Sequence, residues 1–529
     1  MKIGNQERKA RRPHLSDPLT LGIDVGTSSA KAVVADPGGS FFASATRSYS
    51  YTTPEHRQAE QDPEDWWDAV CSLTQELLST HPEIGSRLRA VGISGQGVAA
   101  IVLGHNRKPL RNAILWLDTR SAAQATQLCE SYGEFIAAIS GKTPAAYNVE
   151  PKLLWLRQHE PANWNSIWKV MTTTGYVTFR LTGQAVMNHS DGGILLSYDL
   201  NKHHWSEEAL ACMDLPRSIF CELASCHEVI GEITPEAASQ TGLPAGLPVV
   251  AGGEDTSSAG LAMGVVSEND VQLSMGSAST VYVPLRRPVS DSRLLAFPHV
   301  LDGLTLLGGS MVAGGLAIDW LLKILDGTLD ASGLKADALN ILTARAAQVD
   351  PGSQGLIFLP YLAGELQPIN DGFARGVFFG LGLQTSKAHL FRAVLEGTAF
   401  AITHNLSLAR ELGAAPEQIL AVGGPIRNDL WCQIISDVTG MPLHAMEDRG
   451  GAALGDAILA GMGVQLFADP LVMQRAHARL RKSFSPNWES HREYQRLLAI
   501  YREVYPRLRD LFPKLLSEPK AKVAGNVHL

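Results

Sequence analysis

The chain has 529 residues, 45% hydrophobic and 19% charged, enough apolar material for a packed core and too little charge density for general disorder. At roughly 150 residues per domain this length corresponds to about three domains or two large ones. The net charge of -8 and the pI of about 6.1 lack the broad basic footprint of a nucleic-acid binder. The 49 glycines and 28 prolines carry no G-X-Y period, which excludes a collagen-like chain.

In chain order, residues 1–18 read as a basic, solvated tail. Lys2, Arg8, Lys9, Arg11 and Arg12 are followed by no apolar run, so the segment is not a secretory signal. Cys71, Cys129, Cys212, Cys221, Cys226 and Cys432 form no C-x-x-C pair. Reduced, mostly buried thiols of a cytoplasmic protein are expected. Leu19 to Ala35 reads strand, glycine turn, strand. Pro63 to Leu78 is helical, capped by Asp62 with Trp66, Ala69 and Leu73 on one face. Val91 to Leu103 is apolar strand around the polar SGQG, and Pro151 to His159 is a short amphipathic helix. Val249 to Asp255 closes the first half, with a boundary expected near Ala259 to Ser267. Asp270 to Val283 then repeats the opening hairpin. A hairpin of one design in each half predicts a duplicated architecture of two domains with a cleft between them. Leu306 to Leu325 is long and apolar, but Asp319, Lys323 and its glycines mark a buried segment rather than a membrane span. Ser386 to Leu412 is a long helix capped by Thr385 or Ser386 and stopped by Gly413. On it His389 reads as structural. Ile419 to Asn428 is a strand ending in a Gly-Gly turn, and a polar tail is expected from Pro513.

Four segments carry candidate chemistry. In Asp24-Val-Gly-Thr27-Ser28-Ser29 a carboxylate ends a strand and a glycine turn presents hydroxyls and N–H groups. This combination suits phosphate oxygens beside hydrated Mg²⁺, with Lys31 adding positive charge, and equally suits a plain polar hairpin. The second hairpin, Gly276-Ser277-Ala278-Ser279-Thr280, supplies another set of donors, so that the two together can clamp successive phosphates. Gly253-Glu254-Asp255-Thr256 ends an apolar strand beside the cleft. Asp255 can accept a hydroxyl proton in phosphoryl transfer or cap the following helix, and the pattern alone leaves both open. Val422-Gly423-Gly424-Pro-Ile-Arg-Asn428 can lay backbone against a flat base. Gly141-Lys142-Thr143 ends like a phosphate-binding P-loop, but Ile136 stands where that motif needs glycine. G-x-G-x-x-G, H-E-x-x-H and G-x-S-x-G are absent from the sequence.

These residues resemble the FGGY carbohydrate kinases from about Leu19 to Phe467. The most specific text is Gly376-Val-Phe-Phe-Gly380-Leu followed by His389-Leu-Phe-Arg-Ala393-Val-Leu-Glu396. The segments at 59–67, 115–120, 151–161 and 355–365 are closest to the xylulokinase branch. The resemblance implies an α/β fold of two actin-like (ribonuclease H-like) domains with the active site in the cleft. The first, 19–262, would bind sugar and carry the base; the second, 263–512, would bind nucleotide; 513–529 would be a tail. It implies ATP and Mg²⁺ as cofactors, Asp24 at the metal, and Thr27, Ser28, Ser29 and Lys31 near the phosphates. It further implies Gly276, Ser277, Gly315, Gly424 and Asn428 around the nucleotide, and Asp255 as catalytic base. The implied partner is a small sugar or polyol, with no nucleic acid or membrane, and a homodimer by analogy.

The sugar end departs from the family text. Xylulokinases read S-G-Q-M-H-G where this chain has Ser94-Gly95-Gln96-Gly97-Val98. Glycerol kinases place Arg-Glu at Gly97 and Val98. Thr256 stands for the usual Asn or Gln, Leu366-Gln367 interrupts the G-E-R-T-P segment, and Val149 stands where the family text has Pro, Ser or Thr. Gln96, Gly97, Val98, Trp116, Asp118, Tyr147, Asp255 and Thr256 are the candidate sugar contacts, with Arg120 beside them. Changed hydroxyl partners change the substrate. The expectation is an ATP-dependent kinase for a pentulose such as xylulose, with other ketoses, erythritol-like polyols and sugar acids as alternatives. The reading from another class is a catalytically silent sugar-binding regulator.

Overall fold

The computed structural model describes residues 17–37, 41–312, 314–326, 332–447, 450–466 and 479–515. Residues 1–16 of the basic N-terminal tail and residues 516–529 of the expected C-terminal tail lie outside the described residues. Phe512–Leu515 still forms a short helix, so helical structure reaches past Pro513.

The first sheet contains β1 (Leu19–Val25), β2 (Ser29–Ala35), β3 (Phe41–Ser48), β4 (Leu88–Gly95), β5 (Val229–Glu232), β6 (Pro248–Val250) and β7 (Gly253–Glu254). Its order is β5-β6-β4-β1-β2-β3, with β7 also paired to β4. The second contains β8 (Asp270–Met275), β9 (Ser279–Leu285), β10 (Leu295–Pro298), β11 (Thr305–Met311), β12 (Gln418–Val422), β13 (Leu443–Met446) and β14 (Leu480–Phe484). Its order is β10-β11-β9-β8-β12-β13-β14. Both have one design at the centre, an antiparallel hairpin extended by a third antiparallel strand, with a parallel strand beside the first. The duplication read from the two hairpins is therefore present in the fold.

Strand periodicity sets the faces of the first sheet. Leu19, Leu21, Ile23 and Val25 point to one side, the side on which the helix Pro63–Thr80 packs against β2 and β3 with Trp66, Val70 and Leu73 in the same apolar core. Asp62 caps that helix by accepting from Glu64 N. Thr20, Gly22 and Asp24 point to the other side, as do Ala90, Gly92 and Ser94 of β4. That side is covered by the helix Ala452–Gly463, which follows the second sheet's β13 in sequence yet packs on β1 and β4. The sequence division at 262/263 thus has one element that crosses it in space.

The crossing helix sits against bare backbone. A Cβ at Gly22 would lie 1.8 Å from Ala453 O, and one at Gly92 would lie 2.2 Å from Asp456 O. The same helix meets the helix Asp255–Met263 at Gly455, where a Cβ would fall 1.9 Å from Ser258 O.

Several sequence expectations shift in detail. The helix expected from Pro151 begins at Val149. Glu254, not Asp255, caps the following helix, and Asp255 is its first residue. The helix Lys387–Glu411 is capped by Ser386, with His389 Nδ1 2.7 Å from Ser386 Oγ, and the chain leaves it through Gly413 at φ 101°. The apolar stretch from Leu306 divides into β11 and the helix Gly315–Asp326. Among the described residues no helix is long and apolar enough to cross a membrane. Cys221, Cys226 and Cys432 are buried, Cys71 and Cys212 half-buried and Cys129 exposed. Burial is therefore less general than expected for the thiols.

Gly22→Ala is expected to destabilise the protein by about 1–3 kcal/mol or more through overpacking, read as a lowered thermal midpoint. Gly382→Ala, where a Cβ meets nothing within 4 Å, is expected to stay within about 0.5 kcal/mol.

Candidate active site

The parallel pairing of β1 and β4 sets Asp24 opposite Ser94. Ser94 Oγ lies 2.6 Å from Asp456 Oδ2 and 3.4 Å from Asp24 Oδ1, so its proton goes to Asp456. Asp456 is fully buried on the crossing helix, and its Oδ1 has no partner. Burial first, then the charge of Asp255, pushes the Asp24 carboxyl up to about 7. Lys31, directly across the hairpin from Asp24, acts in the opposite direction. Burial raises Asp456 well above the ordinary carboxyl range, Asp24 and Asp255 adding to it.

Asp255 begins its helix where β7 runs out beside β4, at the level of Ser94 and Gly95. Thr256 Oγ1 donates to Asp255 Oδ1 at 3.1 Å. Burial raises the Asp255 carboxyl, and hydrogen bonds from Glu254 and Thr256 limit the rise. Gln272 Nε2 of β8 donates to Thr256 O at 2.7 Å, and Val300 N donates to Ser257 Oγ at 2.8 Å. The start of this helix is therefore fastened to the second sheet while its residues face the first. Asp191 Oδ2 accepts from Thr172 Oγ1 and Asn188 Nδ2, each at 2.9 Å. Burial, with Asp255 contributing, lifts Asp191 to about 7. Asp24, Asp191, Glu254 and Asp456 all feel the charge of Asp255.

This excess of desolvated negative charge suits a divalent cation. Among the described residues no three acidic, histidine or cysteine side chains converge to chelate an ion by themselves. Mg²⁺ typically takes one or two carboxylates and fills the remaining positions with water and phosphate oxygens. Half-buried Asp24, and Asp456 with its unpartnered oxygen behind Ser94, fit that pattern.

The hairpin loop after Asp24 is held from below. Gly26 N donates to Ser29 O at 3.0 Å, Tyr49 OH to Gly26 O at 2.6 Å and Gln61 Nε2 to Thr27 O at 2.8 Å. Ser28 is exposed and Thr27, Ser29 and Lys31 are half-buried. At the other hairpin, Gly315 N donates to Gly276 O at 2.7 Å and Leu316 N to Ser277 O at 3.1 Å. A Cβ at Gly315 would stand 2.9 Å from Gly276 O and 3.5 Å from Pro425 Cγ. The structure thus brings Gly276, Ser277, Gly315 and the Gly423-Gly424 turn together. Gly423 is required where it stands, since a Cβ would meet Met275 O at 1.9 Å, whereas the Cβ direction of Gly424 is open. Asn428 caps the helix Asp429–Thr439 by accepting from Trp431 N and donates to Thr343 Oγ1. Both ends of its amide have structural partners.

At the sugar end, Gln96 Nε2 donates to Gln61 Oε1 at 2.8 Å, leaving the buried Gln96 Oε1 without a partner. Trp116 is 41% exposed, and its Nε1 donates to Thr27 Oγ1 at 3.1 Å. The Lys152 ammonium donates to Tyr147 O at 2.7 Å and to Val98 O at 3.5 Å, fixing the backbone of both candidates. Tyr147, Thr143 and Ala145 line a cavity of about 530 Å³ with Val312, Glu365 and Gln367 of the second half. Asp118 is differently placed. It is fully buried, accepts from Ala59 N and Arg120 N, and grips the Arg120 guanidinium through both oxygens. It organises the wall from behind.

Ser94, Asp191, Gln61, Lys152 and Asp456 were not singled out by sequence reasoning. Ser94 lay in the quoted SGQG stretch and was legible as the residue before Gly95. The others are brought in by long-range packing.

The Asp191 shift has a consequence for stability. Its ordinary value is 3.8 and its folded value about 7. Between these the folded chain binds the proton more tightly than the unfolded chain, so this group's contribution falls as pH rises. Asp191→Asn cannot ionise. Its thermal midpoint, relative to wild type, is expected to rise between about pH 5 and pH 8; a difference independent of pH would refute the raised value.

The family model for the N-terminal domain of FGGY carbohydrate kinases matches residues 19–262, and that for the C-terminal domain matches residues 271–464. A xylulose kinase of Escherichia coli (strain K12) is 32% identical over 500 residues, 93% of this chain and all of that protein. The crystal structure of xylulose kinase from Rhodospirillum rubrum superposes with a TM-score of 0.88 at 31% identity, covering 94% of this chain and all of that one. Gluconate kinase from Lactobacillus acidophilus also gives 0.88, at 26% identity, covering 94% of this chain and all of that one. With the two domain models matched in order over residues 19–262 and 271–464, the chain belongs to the FGGY family of carbohydrate kinases.

Proposed function

We propose that the chain transfers the γ-phosphate of ATP to a hydroxyl of a neutral ketose, with D-xylulose as the leading candidate, and that Asp255 is the base. The observation that carries this reading is the placement of Asp255. It opens a helix fastened to the second sheet, lies where its charge raises Asp24 of the first, and has a raised carboxyl itself. A raised pKa makes the ionised carboxylate a better proton acceptor, and general-base catalysis of this kind is worth about 10²–10⁴-fold.

In the step, the sugar hydroxyl gives its proton to Asp255 as its oxygen bonds to the γ-phosphorus. The bond from that phosphorus to the β,γ-bridging oxygen breaks, and its electrons leave with ADP. Asp24, with Asp456 behind it, would hold Mg²⁺, which when bound supplies charge neutralisation at the phosphates. Thr27, Ser28, Ser29 and Lys31 stand at one hairpin and Gly276 and Ser277 at the other, placed to present N–H, hydroxyl and ammonium donors to phosphate oxygens. Gly315 lets the second hairpin close on its helix and Gly424 leaves room for the nucleotide, and Asn428 supports that wall by capping its helix. Gln96 Oε1, Trp116, Tyr147 and the Gly97-Val98 backbone line the sugar side, with Asp118 and Arg120 bracing it and Thr256 orienting the base.

The likeness to gluconate kinase brings a sugar acid into question. The acidic surroundings of Asp255 favour a neutral sugar, because an anionic one would meet like charge.

The test is ADP release with Mg-ATP over D- and L-xylulose, D- and L-ribulose, erythritol, glycerol, gluconate and hexoses. One ketose is expected to stand out, and gluconate to stay at the rate without sugar. Asp255→Asn is expected to lower kcat by about 10²–10⁴-fold while nucleotide binding persists. Wild-type turnover in this variant would remove the base assignment. No active sugar, combined with thermal stabilisation by one of them, would favour the regulator reading.

A further inference from the structure

Glu254 stands immediately before the base and is buried, at 5% exposure. Its side chain does two things at once. Oε2 accepts from Ser257 N at 2.9 Å, capping the helix that Asp255 begins. Oε1 is aimed at Gly97, where a Cβ would stand 3.3 Å from it and 3.2 Å from Glu254 Cγ. The backbone is fixed as well, with Glu254 N donating to Ser190 Oγ at 2.9 Å and the residue paired with Gly95. The carboxyl therefore occupies the corner between the base and the Gly97-Val98 turn. Burial above all, with the charge of Asp255 adding, keeps the Glu254 carboxyl protonated well above the ordinary range, and the two side chains are hydrogen-bonded to each other.

We infer that Glu254 is a positioning residue for the base: its carboxyl, held at the corner between Ser257 N and Gly97, donates to Asp255, turns the free oxygen of Asp255 toward the sugar hydroxyl, and shapes the sugar pocket where Gly97 leaves space. The donated proton stays on Glu254 throughout. The proton taken from the sugar resides on Asp255, so the pair never holds two negative charges during transfer, and like charges at such short range are disfavoured. Burial raises the Asp255 carboxyl and the bond from Glu254 limits that rise, so the donor favours the ionised base. This inference rests on Asp255 as base.

The test separates the cap from the donor. Serine is a good helix cap but is too short to reach Asp255, whereas glutamine keeps both the acceptor for Ser257 N and an N–H donor. With D-xylulose, or the panel sugar of highest kcat/KM, Glu254→Ser is expected to keep a thermal midpoint near wild type. It should lose about 10- to 100-fold in kcat, the effect of losing a hydrogen bond to a charged group. KM for the sugar should rise while KM for ATP stays within about twofold. Glu254→Gln is expected to recover kcat to within about fivefold of wild type. Wild-type kcat and sugar KM in Glu254→Ser overturn the inference, as does a Glu254→Gln variant no better than Glu254→Ser. Should Glu254→Ser fail to fold, Glu254→Asp, also a helix cap but one methylene short, takes its place with the same expectations. Asp255→Asn is run alongside. If it is inactive while the Glu254 variants match wild type, this inference alone fails; if it turns over normally, the base assignment fails as well.

Discussion

The site depends on how closely one late helix approaches the early sheet. Ala452–Gly463 lies on β1 and β4 at a separation that only glycine permits, with Ala453 O and Asp456 O in the spaces where side chains at Gly22 and Gly92 would be. Its third close contact, Gly455 against Ser258 O, ties it to the helix that begins with Asp255. Strand periodicity then does the rest. Because Gly22 and Gly92 face this helix, Asp24 and Ser94, two residues further along their strands, face it too. Asp24, Ser94, Asp255 and Asp456 are held as one unit by packed backbone, which yields far less than side chains can.

That unit concentrates negative charge where water is scarce. Serine, threonine and asparagine donors satisfy part of it: Ser94 on Asp456, Thr256 on Asp255, and Thr172 and Asn188 on Asp191. Their number is too small to bring the acids back to their ordinary range. Such an arrangement costs stability, and its retention is what a site for a cation and a proton acceptor requires. Two basic groups of the first half are engaged behind the sugar wall, Arg120 with Glu60 and Asp118 and Arg111 with Glu60 and Glu160, while Lys31 stands directly across the hairpin from Asp24.

Much of this was legible in the chain. The two hairpins announced the duplicated fold, because a glycine turn between apolar strands is a local signal. Asp24 and Asp255 were legible for the same reason, each closing a strand next to a turn. Asp118 and Asn428 show what local text leaves out. Both sit in family-like segments, yet their polar atoms are engaged by Arg120, Ala59 N, Trp431 N and Thr343, partners that sequence spacing does not reveal. Of the two readings left open for Asp255, the cap belongs to its neighbour Glu254, because both are acids and only the backbone decides which one lies outside the helix. Asp456 was out of reach altogether. Its partner Ser94 is 362 positions away, and nothing in an alanine- and glycine-rich helix marks one aspartate as facing a strand from the other end of the chain.

The same crossing helix bears on how the protein is made. During synthesis the first sheet emerges long before Ala452, and until then the Gly22 and Gly92 face has no cover and the Asp24–Ser94 pair lacks its third member. Contacts this distant in sequence form slowly and late, and an unfilled groove lined by backbone is an invitation to non-native pairing. The two halves therefore cannot be treated as exchangeable modules. A chimera joined between 262 and 271 inherits from its second parent the helix that must fit the first parent's glycines, and a fragment ending before Ala452 is an incomplete first domain rather than a whole one.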